Sequence, residues 1–166
     1  MSKNIVIIGM PGSGKTTVGK LVSKKLNMNF IDMDEYIEQN EPLSIKEMFA
    51  ISETCFRDAE SKHSLALSKL NHHVIATGGG TIKRKENMMN LKSNSIIIFL
   101  NRPVENIVQD IDIHTRPLLA DGIERLYQLY NERINLYKEY SDIEILNIGT
   151  IYETVKQIIE QVENKI

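Results

Sequence analysis

Ile5–Ile8 is an unbroken aliphatic run that stops at Gly9. A strand covered on both faces shows no alternation, so this run predicts a buried parallel strand. The period then changes. Val18, Leu21, Val22 and Leu26 recur at helical spacing and predict a helix over 16–26. Phe30–Ile31 predicts a second short strand ending at Asp32, and 34–39 a short helix. "NEPLS" interrupts it. Ser44, with Glu47 three residues on, has the capping-box pattern and opens a helix running towards Leu70, with a break near Ser52. Val74–Ala76 is the third predicted strand, closed by Gly78-Gly79-Gly80, and 84–91 is helical. Ser95–Leu100 is the most obvious strand, and Pro103 suits the first turn of the helix after it. Residues 112–122 lack periodicity and hold a Pro and a Gly, so they read as a loop. A helix over 123–140, a fifth strand at Ile143–Leu146 and a closing helix over 151–163 complete the pattern.

Strands alternating with helices predict an α/β fold, an open, mostly parallel sheet with helices on both faces. Ligands of such sheets bind beyond the carboxyl ends of the strands, so Gly9, Asp32 and Gly78 are expected to converge on one crevice. The 166 residues suit a single domain, 1–166, with no linker or repeat, and an apolar content of 42 % supports one core. A net charge of −2 and the absence of long Lys/Arg blocks argue against a nucleic-acid surface. No apolar run is long enough to span a membrane, and "MSKNIVIIG" lacks a signal-peptide layout. Cys55 is the only cysteine, which excludes an internal disulfide and points to the cytoplasm. The expected partners are small molecules, and the expected state is a monomer.

Gly9-Met10-Pro11-Gly12-Ser13-Gly14-Lys15-Thr16 matches G-x-x-x-x-G-K-[ST] between a predicted strand and a predicted helix. In that context backbone N–H groups from Gly12 to Thr17 cradle phosphates at a positive helix end, Lys15 reaches the β- and γ-phosphates, and Thr16 ligates Mg²⁺. Motor ATPases, GTPases and small-molecule kinases all use this loop. "NRPVEN" after the fourth strand lacks the guanine signature of a GTPase.

A second site has the opposite character. "FIDMDEYIE" sets Asp32 and Asp34 two apart, on one side if the chain stays extended. One carboxylate suits the Mg²⁺ shell and the other a general base; a surface turn capping a helix is the plain alternative. Arg57 and Glu60 share a helix face, as a structural ion pair or as a carboxylate aiming a guanidinium at an anion. Three consecutive glycines, Gly78 to Gly80, make sense where backbone must approach a ligand closely. Only six of the 20 basic residues are arginine, among them Arg57, Arg116 and Arg133. Arg116, in the irregular stretch, suits an arginine finger supplied in cis, or a solvated loop. His63, His72 and His73 read as surface or packing residues.

Taken together, "GMPGSGKTT", D-M-D at 32–34, F-R-D-A-E at 56–60, GGG at 78–80, R-P-L-L at 116–119 and the Glu132–Tyr137 run resemble shikimate kinases over essentially the whole chain. The resemblance implies a three-layer P-loop kinase fold with a five-stranded parallel sheet and a mobile lid over about 110–122. It implies transfer of the γ-phosphoryl of ATP to the 3-hydroxyl of shikimate. In that reading Asp34 is the base, and Arg57 and Arg133 hold the substrate carboxylate. Gly78, Gly79 and Gly80 face the ring hydroxyls. Lys15 and Arg116 stabilise the moving phosphoryl group, and Thr16 with Asp32 organises Mg²⁺. The family often carries an Arg that stacks on adenine and a Pro near the last strand. Gln109 stands at the first position, and "LNIGTIYE" has no Pro. Asp110, Asp112 and His114 read as a solvated acidic stretch. The competing functions are another small-molecule kinase, acting on gluconate or a nucleoside monophosphate, and a nucleotide-binding module without turnover.

Overall fold

A computed structural model describes residues 3–110 and 122–166. The lid expected over about 110–122, with Asp112, His114 and Arg116, therefore lies outside the described residues apart from its two ends. The chain runs β1 (Asn4–Ile8), α1 (Lys15–Lys25), β2 (Asn29–Asp32), α2 (Met33–Asn40), α3 (Ile45–Ile51), α4 (Glu53–Ser68) and β3 (His73–Ala76). A 3₁₀ turn at Thr81–Lys83 leads into α5 (Lys85–Lys92), β4 (Ser95–Asn101), α6 (Val104–Asp110), α7 (Ile123–Tyr140), β5 (Ile143–Leu146) and α8 (Ile151–Val162).

The five strands form one sheet in the order β2-β3-β1-β4-β5, and every pairing is parallel. The unbroken aliphatic runs are explained by burial on both faces. Along β1, Val6 and Ile8 enter the core beneath α2, α3, α4, α5 and α7, while Ile5 and Ile7 enter the core beneath α1 and α8. β4 divides in the same way, with Ile97 and Phe99 on the first face and Ile96, Ile98 and Leu100 on the second. The result is the expected three-layer α/β architecture. Among the described residues, no helix is long and apolar enough to cross a membrane.

Chain order reverses about the central strand. β1 pairs with β3 on one side and β4 on the other, which opens a crevice at their carboxyl ends. The phosphate loop, the glycine run after β3 and Arg102 after β4 all emerge there.

Two local expectations are refined. Pro103 lies one residue before α6, where its carbonyl accepts from the N–H groups of Asn106 (3.0 Å) and Ile107 (3.1 Å). The helix over 44–70 is two helices hinged at Ser52, which is the C-cap of α3 and the N-cap of α4. Its hydroxyl accepts from Cys55 N–H at 3.0 Å. Ser52→Ala is therefore expected to cost about 1 kcal/mol, the usual loss for a missing N-cap, read as a lower urea midpoint at unchanged slope. His63 is buried, with Nε2 2.8 Å from Glu41 Oε1, and ties the end of α2 to α4.

Candidate active site

The crevice begins with the phosphate loop. The chain turns into α1 through Gly14, at φ +94°. Lys15 is buried, and its ammonium donates to the carbonyls of Gly9 (2.9 Å) and Met10 (2.8 Å) inside the loop. The Ser13 hydroxyl is also buried, with no hydrogen-bond partner among the described residues. Thr16 donates to Asp32 Oδ2 at 2.6 Å, which leaves the lone pairs of its hydroxyl oxygen for a cation.

The chain does not stay extended from Asp32 to Asp34, and the helix-capping alternative describes Asp32. Asp32 is the N-cap of α2, and its Oδ1 accepts from the N–H groups of Asp34 (3.0 Å) and Glu35 (3.2 Å). Asp34 thus belongs to the first helical turn. Its direction is set by helix geometry and not by strand alternation, because the side-chain cap makes the chain coil one residue after β2 ends. Asp32 both caps the helix and holds Thr16.

Asp34 Oδ1 is buried with no partner among the described residues. Burial pushes the Asp34 carboxyl up to about 6; the neighbouring charges of Asp32 and Glu60 add to the rise, and Lys15 and Arg57 oppose it. Those four neighbours place Asp34 between the phosphate loop and the Arg57–Glu60 ion pair of α4.

On α4, Glu60 is fully buried and accepts from Arg57 Nη1 at 2.8 Å and from the Thr81 hydroxyl at 2.9 Å. Arg57 is nearly buried too. Its Nε approaches Glu53 at 3.3 Å, and its guanidinium carbon lies 5.0 Å from the centre of the Phe56 ring. An ion pair this enclosed holds the guanidinium plane in one orientation.

The glycine run is where these parts meet. A Cβ on Gly80 would lie 2.4 Å from Arg57 Nη2, and one on Gly79 would lie 2.8 Å from Pro11 of the phosphate loop. Gly78 lies beside Asp34 and Glu60. The Gly79 carbonyl accepts from the Tyr137 hydroxyl at 2.5 Å. Burial pushes the Tyr137 phenol up to about 12, against the opposing pull of Arg133, one turn earlier on α7, and of Arg57. Arg133 is buried, so both guanidiniums face the same hydroxyl from different helices. Gly80→Ala is expected to displace the Arg57 guanidinium from Glu60 and lower stability by about 1–3 kcal/mol, read as a lower urea midpoint at unchanged slope.

Beside the loop, a cavity of about 320 Å³ is lined by Gly14, Thr17, Arg102, Asn106, Ile148 and Ile151, among others. Gln109 is exposed on α6 and is not among its lining residues. Three contributors escaped the sequence reading. Tyr137 lay inside a quoted motif without a role. Arg102 had a signal, since it is one of six arginines and follows a strand end. Asn147 also follows a strand end; its amide donates to the Ser13 carbonyl at 2.9 Å and accepts from Thr154 at 2.8 Å.

Comparison with known proteins gives a consistent result. A family model described as Shikimate kinase matches residues 11–163. A curated shikimate kinase from Clostridium beijerinckii is 47 % identical over 162 residues, covering 96 % of this chain and 96 % of the relative. A solved structure of shikimate kinase from Acinetobacter baumannii in complex with shikimate superposes with a TM-score of 0.91 at 32 % identity, covering 100 % of this chain and 96 % of that one. The shikimate kinase of Bacteroides thetaiotaomicron gives 0.88 at 27 % identity, covering 97 % and 98 % of the two chains.

Proposed function

The chain belongs to the shikimate kinase family, and on that premise we propose that it transfers the γ-phosphoryl group of ATP to the 3-hydroxyl of shikimate, yielding shikimate 3-phosphate and ADP. The observation that carries this reading is the position of Asp34. A carboxylate with an unpartnered buried oxygen stands between a phosphate loop and the buried Arg57–Glu60 ion pair, as proton abstraction from an alcohol next to a triphosphate requires.

In this mechanism Gly12, Ser13, Gly14, Lys15, Thr16 and Thr17 hold the phosphates. Arg57 and Arg133 bind the shikimate carboxylate, a planar anion suited to planar cationic donors. Glu60 and Thr81 hold Arg57 in place, and Tyr137 holds the glycine run whose backbone lines the acceptor side. Asp34 takes the proton of the 3-hydroxyl as its oxygen attacks the γ-phosphorus and the bond to the β-phosphate oxygen breaks. Lys15, with Arg116 from the lid segment, offsets charge on the transferred group. The residues present fit Mg²⁺: Thr16 offers a hard hydroxyl oxygen, already oriented by Asp32, and the remaining ligands are expected from phosphates and water. Mg²⁺ bound there neutralises phosphate charge. The setting that goes with this reading is a cytoplasmic monomer acting on small molecules.

The test is an acceptor panel with coupled detection of ADP release. Shikimate is expected to be turned over with one ADP per phosphorylated product, while gluconate and nucleoside monophosphates are not. Turnover of either competitor with shikimate silent would overturn the acceptor assignment. Nucleotide binding without turnover of any acceptor would overturn catalysis itself.

A further inference from the structure

We infer that Arg102, and not the residue at position 109, is the side chain that this protein lays against the nucleoside base. The inference rests on the nucleotide reading above and deepens it.

Gly14 and Thr17 belong to both the phosphate loop and the cavity of about 320 Å³. A nucleotide with its phosphates in the loop therefore places its nucleoside in that cavity. Its lining joins the aliphatic Ile148, Ile151 and Val18 to polar groups, among them Asn106, and to one planar cation, Arg102. Ile148 is 63 % exposed and offers apolar surface that a flat base can cover.

Arg102 is fixed before any ligand arrives. Nη1 donates to the Gly12 carbonyl at 3.2 Å, and Nη2 is ion-paired with Asp110 at the end of α6. A guanidinium anchored through its edge keeps its face for stacking, and little rotamer freedom remains to be lost. Gln109 is solvent-exposed on the same helix as Asp110 and does not line the cavity. Asn147, the amide nearest the loop, spends both ends of its side chain on Ser13 and Thr154.

The test uses calorimetric titration of the full chain with ADP and, separately, with inorganic tripolyphosphate, which fills the phosphate loop but has no base. Arg102→Met keeps the aliphatic stem and removes the planar cation; Arg102→Lys keeps the charge and removes the plane. Both are expected to weaken ADP binding about tenfold, the scale of a partly desolvated cation–π contact, and to leave tripolyphosphate affinity unchanged. Gln109→Ala should change neither. Unchanged ADP affinity in Arg102→Met would overturn the inference, and so would equal weakening of ADP and tripolyphosphate, because Arg102 would then act only through Gly12 and the loop. A Gln109→Ala effect matching that of Arg102→Met would also overturn it. Failure of the wild-type chain to bind ADP at all would instead refute the nucleotide reading on which the inference stands.

Discussion

Asp34→Asn is expected to lower kcat by about 10²-fold or more while ADP still binds with near-wild-type affinity. The amide preserves the shape of the side chain but cannot take a proton from the attacking hydroxyl. In the wild-type protein kcat/KM for shikimate should rise with pH as Asp34 deprotonates and level off above about 6, where burial has pushed its carboxyl. The same shift has an opposite consequence for stability. Below the unfolded pKa of about 4, Asp34 is protonated in both states and costs nothing. Between about 4 and 6 the unfolded chain releases its proton first, so the folded state of the free protein loses stability as pH rises. Above that window the penalty is constant, on the order of 3 kcal/mol. Asp34→Asn should therefore unfold at a higher temperature than the wild type at pH 7, with the difference vanishing near pH 4. A variant that is both active and no more stable would remove Asp34 from the role of base.

Arg57→Met is expected to be severe in a different way. Glu60 is fully buried, and without the guanidinium its carboxylate keeps only the Thr81 hydroxyl. Leaving one member of a buried pair uncompensated costs about 3–5 kcal/mol, so urea melts should show a large fall in midpoint. Adding Glu60→Gln should return part of that loss, since the stranded charge is then gone, yet it should not restore acceptor binding. Arg57→Lys separates the two roles further. It keeps a cation beside Glu60 and much of the stability, but an ammonium cannot reproduce the planar fork, so KM for shikimate should rise about 10- to 100-fold. An unchanged KM in Arg57→Lys would end the assignment of Arg57 to the substrate carboxylate. An unchanged midpoint in Arg57→Met would show that Glu60 does not depend on it.

Much of the architecture was determined by local pattern alone. A strand buried on both faces is apolar along its length, and a helix on one face is apolar every three to four residues, so the runs Ile5–Ile8 and Ile96–Leu100 and the presence of the helices between them are legible in the sequence. The capping box at Ser44 and the break at Ser52 are also legible, because a cap is satisfied within four residues of itself. The phosphate loop needs only its own glycines and the elements on either side. Tertiary structure alone decided the strand order and which side chains meet in the cleft. Gly80 faces Arg57 across 23 residues of chain, Gly79 packs on Pro11, and Tyr137 reaches back to Gly79 across 58. Arg102 lines the cavity beside the phosphate loop while Gln109 faces solvent, although both lie near one short helix. The reason is physical. Backbone hydrogen bonding and burial periodicity are properties of a segment, readable from its own residues, whereas a functional side chain takes its role from groups that become its neighbours only when distant segments pack.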